Sequence, residues 1–376
     1  MTHPPRFDLA TRDGARALLE AVVRTPSVSG EEGAVARLMV AALGPYVDRA
    51  WVDEAGNARA VAGTGARSLL FLGHLDTVPG VVPVRVEDEV LYGRGSVDAK
   101  GSAVAAAVAL ARAPASVRAA WTLAWAGAVE EEVASSRGAR HLLATAPCPD
   151  LLIVGEPSGA DAVTLGYKGR LRVRLEARRA LAHSARDEAT AAEVLVEGWT
   201  RIRAWTEAAN AAAPETGPFG RLQVALLALA SDGDGLVERA TAEIGFRLPL
   251  AWPPDRLRDE LTALALGEGV SVRTDAGEVP VRGDRDGTLA RAFRVAIRSA
   301  GLRPGTKVKT GTSDWNVVAP AWNVDAVAYG PGDAALDHTP NEHLPLIEFD
   351  RAVQVLEAVL ARLAGAVSVG QTPARS

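Results

Sequence analysis

Several residues that could bind a metal share one kind of position, just beyond a predicted buried strand or in a glycine-rich loop. The group comprises His74 after strand 67–73, Glu130, Glu131 and Glu132 after strand 120–128, Glu156 after strand 150–155, His338 beyond strand 324–330, and Asp98 in the loop Gly93–Gly101. In open α/β sheets, side chains that follow the carboxyl ends of strands meet at one rim. The sequence therefore predicts one cluster of histidines and carboxylates.

Ligands of this kind suit zinc, cobalt or manganese better than copper or an iron–sulfur cluster. Two histidines and three carboxylates exceed what one zinc needs, and they are the right number for two metals that share a carboxylate. A further carboxylate beside such a pair can take a proton from water. The alternative is that each histidine is structural and that the glutamate run is a solvated face. Several such sites, each after a strand, weaken that alternative.

The elements that position these residues alternate between helix and strand up to about residue 165. Helices are predicted over 12–24 and 31–43, the second with Ser29 as its N-cap, and an Ala/Val-rich helix over 102–112. Alternating strands and helices predict an α/β fold with a mainly parallel sheet. Residues 166–276 have the order βαββαβ instead, which predicts an inserted α+β domain. The predicted domains are thus 1–165 and 277–376, forming one catalytic domain, and the insert 166–276.

The composition of the chain limits the classes of function that it could have. The chain has 376 residues and a net charge of −5, which gives no reason to expect nucleic-acid binding. The single cysteine, Cys148, excludes an internal disulfide and favours a cytoplasmic location. No signal peptide and no membrane-spanning segment are expected.

Six segments resemble the motifs of a zinc-dependent aminoacylase and carboxypeptidase family, which includes acetylornithine deacetylase and succinyl-diaminopimelate desuccinylase. They are Gly73–Pro79, Gly93–Gly101, Glu130–Ser135, Gly155–Pro157, Ala182–Ser184 and Gly330–Glu342, in family order. The resemblance implies a di-zinc peptidase-type catalytic domain and hydrolysis of a linear amide. It implies two divalent metal ions per chain, zinc or alternatively cobalt.

The resemblance also implies a role for each residue of the site. His74, Asp98 and Glu156 would bind the first metal, and Asp98, Glu132 and His338 the second. Asp76 would orient the His74 imidazole. Alignment on Val133–Ser135 makes Glu131 the general base and Glu132 the ligand, and a shift of one residue would exchange these roles.

The inserted domain resembles the family's lid or dimerisation domain, which implies a homodimer. His183 matches a histidine that reaches the partner's active site and stabilises the oxyanion. Arg247 matches an arginine that binds the substrate carboxylate. Gly311, Thr312 and Ser313 resemble a loop that contacts substrate.

Within the family, the segments Gly155–Ser158, Thr164–Gly169, Lys309–Ala319 and Tyr329–Asp333 most resemble the LysK-type enzymes of lysine and arginine biosynthesis. These cleave the amide that joins lysine, or in some cases ornithine, to the C-terminal glutamate of a small acidic amino-group carrier protein. The alternative is a small-molecule deacylase that acts on acetylornithine or acetyl-lysine. A non-catalytic relative is disfavoured because the base and every ligand are present. A serine hydrolase is disfavoured because no Gly-x-Ser-x-Gly follows a predicted strand.

Basic residues are concentrated at the start of the insert. Arg170, Arg172 and Arg174 alternate, so they should project from one face of a strand. One explanation is a surface that steers the acidic carrier protein towards the site. The other is a strand edge that charge protects against aggregation.

Overall fold

The computed structural model describes residues 6–181, 188–213, 215 and 217–370. Its helices are α1 (Arg12–Arg24), α2 (Gly33–Leu43), α3 (Lys100–Ala111), α4 (Ala115–Ala120), α5 (Arg137–Thr145), α6 (Ala191–Ala211), α7 (Pro254–Ala263), α8 (Thr288–Ser299), α9 (Asp314–Val318) and α10 (Leu346–Gly370). Its strands are β1 (Arg49–Val52), β2 (Ala58–Ala62), β3 (Arg67–His74), β4 (Arg85–Glu87), β5 (Val90–Tyr92), β6 (Trp121–Ala128), β7 (Leu151–Gly155), β8 (Ala162–Tyr167), β9 (Gly169–Ala180), β10 (Gln223–Gly233), β11 (Val237–Leu248), β12 (Val270–Thr274), β13 (Val281–Arg282), β14 (Gly305–Lys309), β15 (Asp325–Ala328) and β16 (His343–Pro345). Among the helices described, none has the length and apolar character needed to cross a bilayer.

The chain divides into two compact units. The larger comprises Met1–Gly166, Gly283–Lys307 and Ser313–Ser376, and the smaller comprises Tyr167–Arg282 and Val308–Thr312. The smaller unit thus contains the segment predicted as an insert, together with a few residues beyond it and a short return of the chain before α9.

The sheet of the larger unit runs in the order β1-β2-β6-β3-β7-β15-β8. Its centre, β6-β3-β7-β15, is parallel, whereas β1, β2 and β8 pair antiparallel with their neighbours. The predicted fold class, α/β with a mainly parallel sheet, is confirmed. The register aligns Gly73 with both Gly127 and Gly155, so β3, β6 and β7 end at one edge. The residues that follow these strands therefore emerge together.

Helix α3 fixes the centre of this unit. All of its residues are buried, because it packs against β3, α1 and α10 and has no solvent-facing side. Small residues permit this close packing. A Cβ atom added at Gly73 would lie only 3.2 Å from the Cβ atom of Ala103. The Ala/Val composition thus reflects a helix that is covered on every side.

The predicted N-cap of α2 is wrong. The helix starts at Gly33 with Glu32 as its N-cap, and no side chain caps it. The Ser29 hydroxyl instead donates to Asp76 Oδ2 at 2.8 Å. Ser29 and Glu32 are spaced three residues apart, as in a helix-capping pair, but they bind Asp76 and the Glu130 N–H at the rim of the sheet instead.

The smaller unit contains a four-stranded antiparallel sheet, in the order β10-β11-β9-β12. Apolar residues of β9, such as Leu171 and Leu175, share a buried cluster with residues of α6 and α7. The alternating arginines occupy the opposite face, as predicted. Strand β9 is not an edge, because it pairs with β11 on one side and β12 on the other. The strand-edge explanation of the arginines is therefore wrong.

Candidate metal centre

The first ligand group contains His74, Asp98 and Glu156, whose ligand atoms all lie within 4.8 Å of one another. His74 is the last residue of β3, and only 1% of its side chain is exposed. Its Nε2 atom lies 3.3 Å from Asp98 Oδ1 and 4.0 Å from Glu156 Oε1. Its Nδ1 atom is 3.0 Å from the Asp76 carbonyl oxygen, which leaves Nε2 directed towards the group.

The second group contains Asp98, Glu132 and His338. His338 Nε2 lies 3.0 Å from Asp98 Oδ2 and 3.0 Å from Glu132 Oε1. Asp98 therefore belongs to both groups, with one carboxylate oxygen near His74 and the other near His338. A carboxylate that joins two metals needs this arrangement.

Glu131 belongs to neither group, although its Oε2 atom is 4.0 Å from His74 Nε2. Burial raises its pKa well above the usual range, and the nearby Glu156, Asp314 and Glu132 add to the rise. This carboxylate therefore lies beside the ligands and has a raised proton affinity, as a general base requires. The structure separates Glu131 from Glu132 in the way that the alignment expected, but their roles stay predictions.

Asp76 organises the loop that carries both glutamates. Its Oδ1 atom accepts the backbone N–H of Glu131, and its Oδ2 atom accepts the N–H of Glu132, both at 3.0 Å. Burial alone would raise the pKa of Asp76, but hydrogen bonds from His74, Ser29 and the Glu132 N–H lower it overall. The residue thus does more than orient His74, because it also fixes the backbone of two other site residues.

Glu32 supports the same loop, whereas its spacing from Ser29 had suggested only a helix cap. It is buried, and its Oε1 atom accepts the N–H of Gly30 at 2.8 Å and of Glu130 at 3.0 Å. Glu130 adopts a left-handed φ of 56°, a conformation that side chains disfavour. The Glu32 carboxylate therefore holds a strained turn directly before the two site glutamates.

Glu342 was also missed as a functional residue, although the motif Gly330–Glu342 contains it. Its side chain is fully buried, and Oε1 accepts the N–H of Val97 at 3.0 Å and of Asp98 at 3.1 Å. Arg94 Nη1 donates to Oε2 at 2.7 Å. Arg94 Nη2 also lies 3.4 Å from the carbonyl oxygen of His338. The Arg94–Glu342 pair thus links the segments that carry Asp98 and His338.

The site chemistry fits two divalent cations. Burial would lower the pKa of His74, yet the hydrogen bonds that its ring donates to Asp76 and Asp98 raise it well above its usual value. Hydrogen bonds that His338 donates to Asp98 and Glu132 raise its pKa to about 10. Both shifts record strong negative potential around imidazole nitrogens, the environment that a metal cation would neutralise.

The predicted substrate residues are distributed between the units. In the smaller unit, Arg247 Nη1 lies 3.3 Å from Thr312 Oγ1, and a cavity of about 500 Å³ is lined by Arg247 and Gly311 among others. Ser313 is the N-cap of α9 in the larger unit, where its N–H donates to Asn316 Oδ1. The structure thus places Ser313 in a buried helix cap, and not among the residues that line this cavity. His183 lies outside the described residues.

The sequence pattern of peptidase family M20/M25/M40 matches residues 70–362. The chain is 47% identical to LysW-lysine hydrolase of Deinococcus radiodurans over 93% of its own length and 97% of that protein's length. It is 28% identical to LysW-lysine/LysW-ornithine hydrolase of Sulfurisphaera tokodaii, over 76% and 78% of the two chains. Its fold is similar to that of an M20 family metallo-carboxypeptidase, Sso-CP2 of Sulfolobus solfataricus, with a TM-score of 0.76, 18% identity and 92% and 98% of the two chains covered.

Proposed function

Because the chain belongs to peptidase family M20/M25/M40, we propose that it is a metal-dependent hydrolase that releases lysine from a LysW-type carrier protein. The observation that carries the proposal is Asp98, whose two oxygens face two different histidines. The relative from Deinococcus radiodurans, similar over nearly the whole chain, supports lysine as the amino acid released. The relative from Sulfurisphaera tokodaii supports ornithine as a second substrate.

The residues of the site divide the chemistry between them. Divalent cations held by the two ligand groups would polarise the amide carbonyl and lower the pKa of the attacking water. Glu131 takes the proton from that water and delivers it to the departing amino group of lysine. Asp76 holds the backbone of Glu131 and Glu132, so that the base and the ligand keep their separate positions.

A direct test compares substrates by mass spectrometry. The metal-loaded enzyme is incubated with carrier-linked lysine, carrier-linked ornithine, acetyl-lysine and acetylornithine, and Glu131→Gln serves as the inactive control. Release of lysine from the carrier, at a rate well above that for acetyl-lysine, is the expected result. Faster cleavage of the acetyl compounds would instead favour the small-molecule deacylase.

We infer zinc as the metal, with cobalt as the alternative, because histidine and carboxylate ligands suit both. Elemental analysis after dialysis in metal-buffered solution should approach two equivalents per chain. Full activity at a firm stoichiometry of one would contradict the shared role of Asp98. We further place the enzyme in the cytoplasm and in lysine and arginine biosynthesis, which the carrier substrate and the single cysteine support.

We also propose a homodimer formed through the smaller unit. Among the described strands, β10 pairs with β11 alone, and its apolar residues Leu227 and Leu229 are 51% and 45% exposed. A long apolar sheet edge is prone to association, and a second copy would cover it. In this dimer His183 would act on the partner's site. Mixing inactive His183→Ala chains with inactive Glu131→Gln chains should restore some activity, and heterodimers without activity would exclude this role.

A further inference from the structure

Arg170, Arg172 and Arg174 differ in how they are neutralised, although they share one face of β9. Arg170 forms a two-bond ion pair with Glu278, at 2.8 Å and 2.9 Å. Arg174 lies 3.7 Å from Glu243. In the described part of the chain, no carboxylate lies within ion-pair distance of Arg172. Among these three arginines, Arg172 therefore has the one guanidinium available to a ligand.

Arg172 lines the cavity of about 500 Å³ in the smaller unit, together with Arg247. In the register of β9 and β11, Arg172 is opposite Gly245, and Arg247 is two residues further along β11. Diagonal neighbours of this kind are ~7–8 Å apart between backbones. Gly245 contributes no side chain, and the Leu227 side chain lies over it, within 3.0 Å of where a Cβ atom would be, so Leu227 forms an apolar part of the cavity wall beside the two arginines.

The residues that line the cavity include three arginines, Arg170, Arg172 and Arg247, and no carboxylate. Arg247 also has no carboxylate within ion-pair distance among the described residues, and it contacts the Thr312 hydroxyl instead. Burial lowers the pKa of Arg247, and the charges of Arg170 and Arg172 lower it further. Burial, together with the charge of Arg247, also lowers the pKa of the adjoining Lys168 to about 8. Arg170, Arg172 and Arg247 lie close together, and Glu278 is paired with Arg170. This excess of positive charge favours an anion with more than one negative charge.

The proposed substrate has two carboxylates beside the amide that is cleaved. Lysine joined through an amino group keeps its own carboxylate. A C-terminal glutamate has two carboxyl groups, so whichever forms the amide, the other remains free. We propose that the cavity binds both carboxylates, with Arg247 taking that of lysine and Arg172 taking the free carboxylate of the carrier's terminal glutamate. This inference rests on the proposed function and makes Arg172 a specificity-determining residue.

Two peptides test the inference. Both carry the carrier's C-terminal sequence with lysine attached, and they differ only in whether the remaining glutamate carboxylate is free or converted to a carboxamide. Loss of a hydrogen bond to a charged group costs about 10- to 100-fold, so the wild type should prefer the free acid by that factor in kcat/KM. Arg172→Gln should bring the ratio close to one. Arg174→Gln, the matched control on the same face, should keep it.

A preference that survives in Arg172→Gln, or that is absent from the wild type, would overturn the inference. Failure of the proposed function has a different signature, because the wild type would then cleave acetyl-lysine but neither peptide. In that case calorimetric titration with glutarate, a small dicarboxylate, decides the matter. Binding about 10-fold weaker in Arg172→Gln than in Arg174→Gln would support the two-carboxylate cavity, and equal affinities would refute it.

Discussion

Replacement of Glu342 by glutamine should test whether a buried ion pair holds the metal centre together. The Glu342 carboxylate is fully buried and the Arg94 side chain is 14% exposed, so the pair is largely removed from solvent. Glutamine can keep the Oε1 bonds from the Val97 and Asp98 N–H groups. Its amide nitrogen, however, would face Arg94 Nη1, donor against donor. Breaking a buried pair in this way costs about 3–5 kcal/mol.

The matched control is Glu348→Gln. Glu348 Oε1 also accepts two backbone N–H groups, from Ala160 at 3.2 Å and Gly332 at 2.9 Å. No ion pair joins Glu348 to another described residue. Its replacement should therefore cost no more than about 1 kcal/mol, the net worth of an ordinary hydrogen bond. The comparison isolates the contribution of the Arg94–Glu342 charge pair.

Urea unfolding of the metal-free proteins measures the free-energy differences, and elemental analysis measures metal content. Because Glu342 binds the N–H of Asp98, and Asp98 belongs to both ligand groups, Glu342→Gln should weaken both metal sites together. Equal destabilisation by Glu342→Gln and Glu348→Gln would refute the reasoning about the buried charge pair. Selective loss of one metal would refute the link to Asp98.

Three further outcomes are expected. Glu131→Gln should keep both metals and lower kcat by ~10²–10⁴. Glu132→Gln should instead lose metal at the second site. An exchange of these phenotypes would show that the alignment of the glutamates is shifted by one residue. Metal loading near pH 7.5 should release a proton from His338, whose raised pKa of about 10 keeps it protonated in the metal-free protein. The apparent affinity for the metal should therefore rise with pH up to about 10. Calorimetry in buffers of different ionisation enthalpy measures the proton release, and its absence would contradict this prediction. Asp76→Ala should lower both metal content and kcat, because the N–H groups of Glu131 and Glu132 lose their shared acceptor. A variant with the kcat of the wild type at saturating metal would contradict this role of Asp76.

The order of elements and the ligand residues could be read from the sequence, because both depend on local patterns. Helix α1 spans the predicted residues 12–24, and β3 continues one position past the prediction to include His74. Hydrophobic periodicity fixes such elements. Four of the five ligand candidates could be grouped because residues that follow parallel strands meet at one edge, whereas Asp98 lies in a glycine-rich loop before α3.

Only the tertiary structure decided which contacts hold these residues in place and shift their pKa values. Ser29 looked like a helix cap, but it donates to Asp76, which lies 47 residues along the chain. Glu342 binds the Asp98 backbone across 244 residues, and no local pattern reports such a contact. Arg170, Arg172 and Arg174 of β9 are alike in sequence. Glu278 and Glu243 neutralise two of them and leave Arg172 available, because charge pairing depends on which strands and loops become neighbours after folding.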